Sequence, residues 1–532
     1  MYNILTESLI RVVKSNGARE KASLPAVYAA LMTDQVEAFP ALRPHQRHAW
    51  HAFLVQLGAM AVHRADLNQP PEQADEWLRI IKALTRDELA KVAYPDDDPR
   101  RLDEPWQLVV DDITKPAFMQ PPARSEERSS DYKSAVATPD ELDMLVTSKN
   151  HDLKSAVAVQ SATDDWMFAL ITLQTMEGFS GAGNYGISRM NGGMSSRPAF
   201  SITQDIRLGA HAKRDMKVLL ERRQEPNGHC LLWALPWDGA PAEALLLSAL
   251  DPHYLEICRR IRLGVDGSGD LSVVRTSSKA ARIEAKASKG ITGDPWTPID
   301  RKDAKSLTLA NGGFTYKRTV EYLFGDDWEM PELLRPTDAE VRSPETMTLV
   351  ARGMVRGQGK TEGYYERMIP VRKRFQSAML RQSGQDDIGQ IATVRIEYIS
   401  AVQRILSHAI QVFLAGGDSD AVGPEHRNLA RPWLNRLDGI VDRTFFDDLQ
   451  DEFEEEDSEE RDRMRNRWLM NRRDGVVDHA RNILSAAIDS LPCPAIHRFK
   501  ARANAEALFE GRIRGNRGLP FLFTEKGDDD ES

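Results

Sequence analysis

The last third of the chain is dominated by helical periodicity, and this pattern constrains the fold more than any other feature. From about residue 376, apolar residues recur every three or four positions, which is the spacing of a buried helix face. The clearest series is Ile388, Ile391, Val394, Tyr398, Val402, Ile405 and Val412. Three further helical stretches follow near residues 436–453, 461–490 and 496–514. Four such helices with modest loops predict an antiparallel bundle over residues 376–532.

Residues 1–375 have a different sequence pattern, in which short β-like runs alternate with predicted helices and with glycine and proline turns. A strand hairpin is predicted around the Asn16-Gly17 turn. A helix is predicted after Ser23, and a second one from about Pro44 to Arg64. The sequence therefore predicts an α+β protein, with a large mixed N-terminal body over residues 1–375 and a C-terminal four-helix bundle over 376–532.

Composition excludes several classes of protein. With 532 residues, 41% hydrophobic and 28% charged, the chain is too long for one core and too apolar for general disorder. Its longest apolar run, residues 166–173, is too short to span a bilayer, and the N-terminus has no signal-peptide pattern. Three widely spaced cysteines form neither a disulfide framework nor a metal site. We expect a cytoplasmic protein with no membrane partner.

The net charge of −10 is unevenly distributed. Residues 447–462 hold 11 acidic residues and one basic residue, and residues 528–531 are all acidic. The rest of the chain is close to neutral. Because a phosphate responds to local charge, the overall acidity does not exclude a basic face that binds nucleic acid.

Two glycine-rich segments resemble phosphate-binding motifs. Residues 181–186 fit the pattern GxGxxG, but poor helix formers follow, and a dinucleotide site needs a helix there. The alternatives are a turn-rich loop, or exposed glycine amides that approach a phosphate backbone. Residues 353–361 nearly match a P-loop, although Gly353 lies one residue too far from Gly359-Lys360-Thr361. This segment is interpreted as a P-loop-like ATPase site, a flexible hairpin tip or a nucleic-acid contact.

No catalytic constellation is readable from the sequence. His45, His48 and His51 are three residues apart on a predicted helix, with no acidic residue in metalloprotease register. They are interpreted as a solvated helix surface rather than a metal site. The sequence shows no nucleophile–base pair, and no metal or cofactor is expected; the expectation that the protein is not an enzyme comes from the family resemblance described next.

An ordered set of segments resembles one family, CasA, the large subunit of the type I-E CRISPR surveillance complex Cascade. No single segment is decisive, but the series covers most of the chain. The matching segments are Met1–Leu5 with Ile10–Val12, Pro116–Gln120, Gly178–Gly181 up to Gly192-Gly193, Pro252–Cys258, Gly293–Trp296, Arg356–Gln358 and Glu366-Arg367.

The resemblance implies a non-catalytic subunit in antiviral defence. Such a subunit recognises the short protospacer-adjacent motif (PAM) in double-stranded DNA from the minor groove. It wedges the duplex open to begin R-loop formation and recruits a helicase–nuclease. The implied partners are the backbone, small and guide-end-capping subunits, the CRISPR guide RNA and the target DNA, in one ribonucleoprotein complex. A purely structural scaffold is the remaining alternative.

The resemblance also implies roles for particular residues. Gly181 would offer its backbone to the PAM duplex from a glycine loop (residues 178–193), and Lys286 would be the basic minor-groove contact, with Lys289 as the register alternative. Gln358 would be the wedge between Gly357 and Gly359. Other implied members of the glycine loop are Gly178, Phe179, Ser180 and Gly183. A loop that docks on the rest of the complex would contain Asn150, His151, Asp152 and Lys154.

The chain departs from the family pattern at three places, the first of which is a longer glycine loop with Ser180 and Ala182 among its glycines. Some members have a cysteine cluster after the position of Cys258, but here Arg259-Arg260-Ile261-Arg262 follows, so no zinc is expected there. Extra residues also separate Gln358 from Glu366, which leaves the position of the wedge tip open.

Overall fold

The structure, a computed structural model, describes residues 2–92, 99–143, 145, 161–222, 228–357, 360–515 and 519. Two compact units are present. The first comprises Met1–Phe314 and Asp327–Val371, and the second comprises Thr315–Asp326 and Arg372–Ser532. The short segment 315–326 therefore belongs to the second unit, although residues 327–371 of the first unit follow it.

The first unit is built from helices around a central core and from several small sheets. Its helices are α1 (Leu24–Met32), α2 (Arg47–Arg64), α3 (Ala74–Lys91), α4 (Pro139–Leu142), α5 (Thr163–Met176), α6 (Leu208–Glu221) and α8 (Asp338–Arg342). Its strands are β1 (Ile10–Lys14), β2 (Arg19–Ala22), β3 (Val36–Ala38), β4 (Ser134–Val136), β5 (Ala199–Thr203), β6 (His229–Leu231), β7 (Leu245–Leu246), β8 (Leu250–Leu255), β9 (Arg260–Val265), β10 (Leu271–Thr276), β11 (Ile283–Glu284), β12 (Ile299–Asp300), β13 (Lys305–Ser306), β14 (Trp328–Glu329), β15 (Met347–Gly357) and β16 (Lys360–Val371).

No large sheet is formed by the strands that the structure describes. They make three-stranded sheets in the orders β2-β1-β3, β4-β10-β9, β13-β12-β14 and β16-β15-β5, and two-stranded pairs β11-β7 and β6-β8. The predicted N-terminal hairpin is confirmed, because Val13 pairs with Arg19 across the Asn16-Gly17 turn. The longest pairing by far is the antiparallel hairpin of β15 and β16.

Helix α2 occupies the middle of the first unit and is buried on nearly all sides. It packs against α3, α5, α6 and β8. Gly58 allows this closeness, since a Cβ placed there would lie 2.5 Å from the sulfur of Met216 on α6. The prediction that His45, His48 and His51 form a solvated surface is therefore wrong: His45 and His48 are buried and His51 is largely so. Local spacing could not show that distant segments cover the polar side of this helix.

The second unit is helical, and the α+β fold class is confirmed. Its helices are α7 (Tyr316–Phe324), α9 (Lys373–Ala378), α10 (Gln382–Leu414), α11 (Pro424–Val441), α12 (Phe445–Glu454), α13 (Ser458–Met470), α14 (Val476–Ser490) and α15 (Ala495–Ile513). The 33-residue α10 packs against α11, α14 and α15. Of the predicted apolar series, Ile388, Ile391, Val402, Ile405 and Val412 are buried, whereas Val394 and Tyr398 are partly exposed.

Two predicted helical stretches are each interrupted in the structure. The stretch 436–453 contains the end of α11 and all of α12 but its last residue. The stretch 461–490 contains most of α13 and all of α14. Gly475 lies in the turn at the second break, where a Cβ would lie 2.6 Å from the backbone nitrogen and oxygen of Asn471, so the turn requires glycine. Pro432 does not end a helix, since it lies inside α11.

Candidate nucleic-acid interface

The glycine loop is closed at its base by backbone pairing. Glu177 and Ser196 form an isolated antiparallel bridge, and the N–H of Phe179 donates to the carbonyl of Gly193 at 3.0 Å. At its far end, a tight turn is fixed by two bonds, from Ser180 N to Asn184 O at 2.9 Å and from Asn184 N to Gly181 O at 3.0 Å. The loop is thus a defined structure rather than the start of a dinucleotide-binding fold, since the next element is β5.

The glycines of this loop serve two different purposes. Gly181 has a φ of +104° and would meet nothing within 4 Å if it carried a Cβ, so open space lies on the side where a side chain would be. Gly178 is packed tightly, and a Cβ there would lie 2.1 Å from the carbonyl oxygen of Gly193. Gly181 permits a backbone conformation with positive φ, and Gly178 permits close packing of the loop's two arms.

A buried arginine holds the loop in shape. The guanidinium of Arg259 donates to the carbonyl of Gly178 at 3.0 Å and also contacts the carbonyl of Tyr185. Its own backbone N–H donates to the side chain of Gln174 on α5 at 2.8 Å. From the sequence alone, Arg259 indicates only that the cysteine cluster of some family members is absent here. Its role was missed because nothing in the local sequence shows that this arginine is buried.

A second buried cluster fixes the other arm of the loop. Arg189 donates to the carbonyl of Tyr254 at 3.0 Å and lies 3.7 Å from the centre of its ring. The carboxylate of Glu256 accepts from the backbone N–H of Ser188 at 2.5 Å. Burial raises the pKa of Glu256, an effect that the positive charge of Arg189 opposes. Both arms of the loop are therefore tied to residues 254–259, which comprise the end of β8 and the connection to β9.

The structure brings the glycine loop together with the two lysines that the sequence singled out. Lys286 begins a short 3-10 turn, and Lys289 follows its end in a left-handed conformation with a φ of +45°. The side chains of Lys286 and Lys289 are both exposed. They line a cleft of about 790 Å³ whose lining also includes Phe179, Tyr185 and Gly192 of the loop. Gly178, Ser180, Gly181 and Gly183 are not part of its lining, although the carbonyl of Gly183 accepts from Ser278 N at 3.0 Å.

The β15–β16 hairpin is regular over most of its length. Pairing runs from Met347 with Val371 to Gly357 with Lys360, with one irregularity after Val355. Gln358 and Gly359, the predicted wedge and its neighbour, lie outside the described residues. Since Glu366 pairs with Arg352, the extra residues before Glu366 are part of β16.

This arrangement contradicts the P-loop alternative. A P-loop leads from a strand through a phosphate-binding loop directly into a helix. Residues 353–357 lie in β15, whereas Lys360 and Thr361 lie in β16 and pair back across the hairpin. The segment is thus engaged in strand pairing where a phosphate site would need a loop and a helix.

The hairpin and the glycine loop are joined at their bases. The N–H of Ser196 donates to the carbonyl of Met354 at 2.9 Å, and the N–H of Met354 donates to the hydroxyl of Ser196 at 2.8 Å. Next to this junction, Arg356 of β15 forms a buried ion pair with Glu177 at the start of the loop. Burial lowers the pKa of Arg356 to about 10. Two backbone contacts and one buried ion pair thus connect the two elements at their bases.

The predicted docking residues Asn150, His151, Asp152 and Lys154 lie outside the described residues. The segment before them is firmly anchored. The buried carboxylate of Asp143 contacts His45 at 2.7 Å and accepts from the side chain of Gln46 at 2.8 Å, and Arg43 pairs with Asp140.

Comparison with known structures defines the class of fold. Cse1 from Thermobifida fusca superposes with a TM-score of 0.60 at 13% identity, covering 98% of each chain. CasA from Thermus thermophilus gives 0.58 at 16%, covering 96% of this chain and 98% of that one. Cse1 from Acidimicrobium ferrooxidans gives 0.57 at 14%, covering 96% and 97%. These likenesses show that the chain has the fold of a Cse1, or CasA, large subunit.

The family follows from the sequence itself. The family model for the CRISPR-associated protein Cse1 matches residues 3–477. The chain therefore belongs to the Cse1 family. No curated protein matches it significantly. Within the part of the chain that the structure describes, none of the helices is both long and apolar enough to cross a bilayer.

Proposed function

We propose that this chain is the non-catalytic, PAM-recognising large subunit of a type I-E CRISPR RNA-guided surveillance complex in the cytoplasm. Family membership supports this role. So does the likeness to a chain of a solved CRISPR RNA-guided surveillance complex, at a TM-score of 0.54 and 14% identity. Its partners would be the backbone, small and guide-end-capping subunits, the guide RNA and the target duplex. It would also recruit the helicase–nuclease.

The observation that carries the proposal is the cleft between the glycine loop and the turn at residues 286–289, called here the lysine turn. Lys279, Lys286 and Lys289 line it beside Glu284, so its walls carry more positive than negative side chains. A lysine reaches phosphates and groove acceptors, and Gly181, next to the cleft in the same loop, would let the duplex approach its backbone without a side chain in the way. The minor groove offers a degenerate code, so such a site gives loose PAM recognition.

The hairpin provides the opening step in this proposal. Gln358 at its end would enter the duplex beside the PAM, where separating one base step costs a few kcal/mol. Replacing DNA pairs with guide–target pairs is nearly balanced in energy, so a local push is enough to nucleate the exchange. Because Arg356 and Glu177 join the hairpin to the loop, PAM contact and insertion would act together.

The scaffold alternative makes a different prediction about salt. If the loops touch only protein, affinity for a PAM duplex has no steep dependence on ionic strength. If phosphates are contacted, the logarithm of the affinity falls linearly with that of the salt concentration, with a slope of about −0.9 for each phosphate neutralised.

Duplex binding and opening by the reconstituted guide-RNA complex test the proposal. Complexes with the wild-type chain and with Gln358→Ala would be compared on a matched and a scrambled PAM. Opening would be followed by the reactivity of unpaired bases. The proposal predicts PAM-dependent binding by both chains and slow opening by the variant. Binding that ignores the PAM in the wild type would contradict PAM recognition, whereas unaltered opening by the variant would contradict only the wedge assignment.

A further inference from the structure

Two helices of the first unit bring three metal-ligating side chains together in its interior. His51 lies on α2, while His211 and Asp215 lie one turn apart on α6. One ligand atom from each lies within 4.8 Å of the other two. The exposed fractions of these side chains are 13%, 5% and 0%, so the cluster is not a surface group of polar residues.

The distances from the Asp215 carboxylate to the two imidazoles are equal to, or somewhat shorter than, those between the ligands of a bound ion. Nε2 of His51 lies 2.8 Å from Oδ2 of Asp215, and Nε2 of His211 lies 3.4 Å from the same oxygen. Zinc binds imidazole nitrogen and carboxylate oxygen at about 2.0–2.2 Å, which places the ligand atoms of a tetrahedral site roughly 3.4 Å apart. Small side-chain shifts would therefore admit an ion between them.

A fourth ligand and an entry route are also available. The hydroxyl of Ser201 on β5 lies 2.9 Å from Nε2 of His211. A cleft of about 370 Å³ is lined by His51 and His211, together with Trp50 and Arg352. Either the serine hydroxyl or a water molecule in this cleft can complete four-fold coordination.

The carboxylate is already oriented as a ligand would be. The guanidinium of Arg214 donates to Oδ1 of Asp215 at 3.1 Å, which leaves Oδ2 facing the two imidazoles. Arg214 is itself held by Glu340 at 2.9 Å. Such outer contacts, which fix a ligand's direction, are characteristic of metal sites in proteins.

We propose that His51, His211 and Asp215 bind one divalent ion, Zn²⁺. Two imidazoles and a carboxylate are a common zinc ligand set, and zinc exceeds manganese and iron in affinity for such sites. The ion fastens α2 to α6 beside β5, the strand that pairs with β15 of the hairpin. The inference does not depend on the proposed role in DNA recognition.

Metal binding by the full-length chain tests this inference. Metal-free protein is titrated with Zn²⁺ against a chromophoric chelator, for the wild type, His211→Gln, Asp215→Asn and the control His48→Gln. His48 is a suitable control because it is buried on α2 but outside the cluster. We expect one Zn²⁺ per wild-type chain and an affinity loss of at least about 100-fold in the two ligand variants, since even outer-shell changes lose about 10- to 100-fold. No stoichiometric binding, or equal losses in all three variants, overturns the proposal.

Two further measurements keep the test decisive if a ligand variant does not fold. In the wild type, Zn²⁺ should raise the thermal midpoint of the metal-free chain, whereas Mg²⁺, which prefers oxygen ligands, should not. The Co²⁺-substituted chain should show no thiolate charge-transfer band. The absence of this band would exclude Cys230, Cys258 and Cys493 as ligands. A midpoint that Zn²⁺ leaves unchanged, or a thiolate band, contradicts the assignment.

Discussion

The glycine loop and the β15–β16 hairpin meet in the first unit, yet different contacts hold them in shape. The hairpin is stabilised by a continuous ladder of backbone pairs, so its stability is spread over many residues. The loop has few backbone pairs and depends on buried side chains, above all Arg259 and Arg189. Single substitutions should therefore disturb the loop more than the hairpin, except at Glu177 and Arg356, where the two elements are joined.

The junction should show the largest effect. Glu177→Gln leaves the Arg356 guanidinium without its buried carboxylate, and breaking a buried pair in this way costs about 3–5 kcal/mol. Urea unfolding should show this loss. The double variant Glu177→Gln/Arg356→Met should lose less than Glu177→Gln alone, because the buried positive charge is removed as well. Breaking the more exposed pair Arg352–Glu366 with Glu366→Gln serves as the control and should cost less. Equal losses of stability for the two pairs would contradict the prediction that the junction is the more sensitive site.

Arg259→Ala should have the next largest effect and should act on the loop alone. It leaves the carbonyls of Gly178 and Tyr185 without this donor, at about 1–3 kcal/mol for each. PAM-duplex binding by the assembled complex should fall at least about tenfold. Arg262→Ala is the matched control, because Arg262 is also buried but donates to the carbonyls of Ile113 and Lys115. It should lower stability without changing duplex affinity, and a similar affinity loss in both would contradict a loop-specific role.

Gly181→Ala separates conformational strain from lost DNA contact. Its φ of +104° disfavours any side chain, by about 1–2 kcal/mol, while open space surrounds the position. Gly17→Ala is the control, with a φ of +83° and equally open surroundings in the N-terminal hairpin. Both should lower the melting temperature by similar amounts, but only Gly181→Ala should weaken PAM-dependent binding. An unaffected affinity would exclude the backbone of Gly181 from the interface.

The pH dependence of the unfolding free energy tests how the hairpin packs against a neighbouring buried histidine. His48 lies 6.3 Å, ring to ring, from Tyr364 on β16, and burial lowers its pKa to about 3. Between pH 6.5 and 3 the unfolded chain binds a proton that the folded chain does not, so stability should fall as the pH falls. The slope from this group is at most about 1.4 kcal/mol per pH unit. His48→Gln should flatten the profile of unfolding free energy in that window; an unchanged slope would contradict the burial of a neutral imidazole.

The two lysines of the cleft should have the smallest effect on stability. Lys286→Ala and Lys289→Gly should change the unfolding free energy by less than about 0.5 kcal/mol, since neither side chain is buried. Glycine is the appropriate replacement at 289 because the φ there is +45°. For duplex binding, each variant should reduce the salt slope by about 1 if its lysine meets a phosphate. Unaltered slopes in both would place the DNA elsewhere.

The sequence predicted these parts of the molecule unequally. Helix α10 was predictable because its apolar residues follow one local period. The burial of Arg259 was not, since its partners Gly178 and Tyr185 lie more than 70 positions away. The same limit applies to His51, which meets His211 and Asp215 only after folding. The glycine loop and Lys286 were identified through family resemblance and their order along the chain, and the structure shows that they share one cleft.

The central claim is that the glycine loop and the lysine turn form one DNA-binding surface. Photo-crosslinking in the assembled complex tests it most directly. A photoreactive amino acid would replace Ala182, the exposed neighbour of Gly181, or Lys286, with exposed Ser268 as the control position. The account predicts that positions 182 and 286 crosslink to neighbouring base pairs of a matched PAM duplex and that position 268 does not. Crosslinks from 182 and 286 only to protein, or to DNA regardless of the PAM, would contradict it.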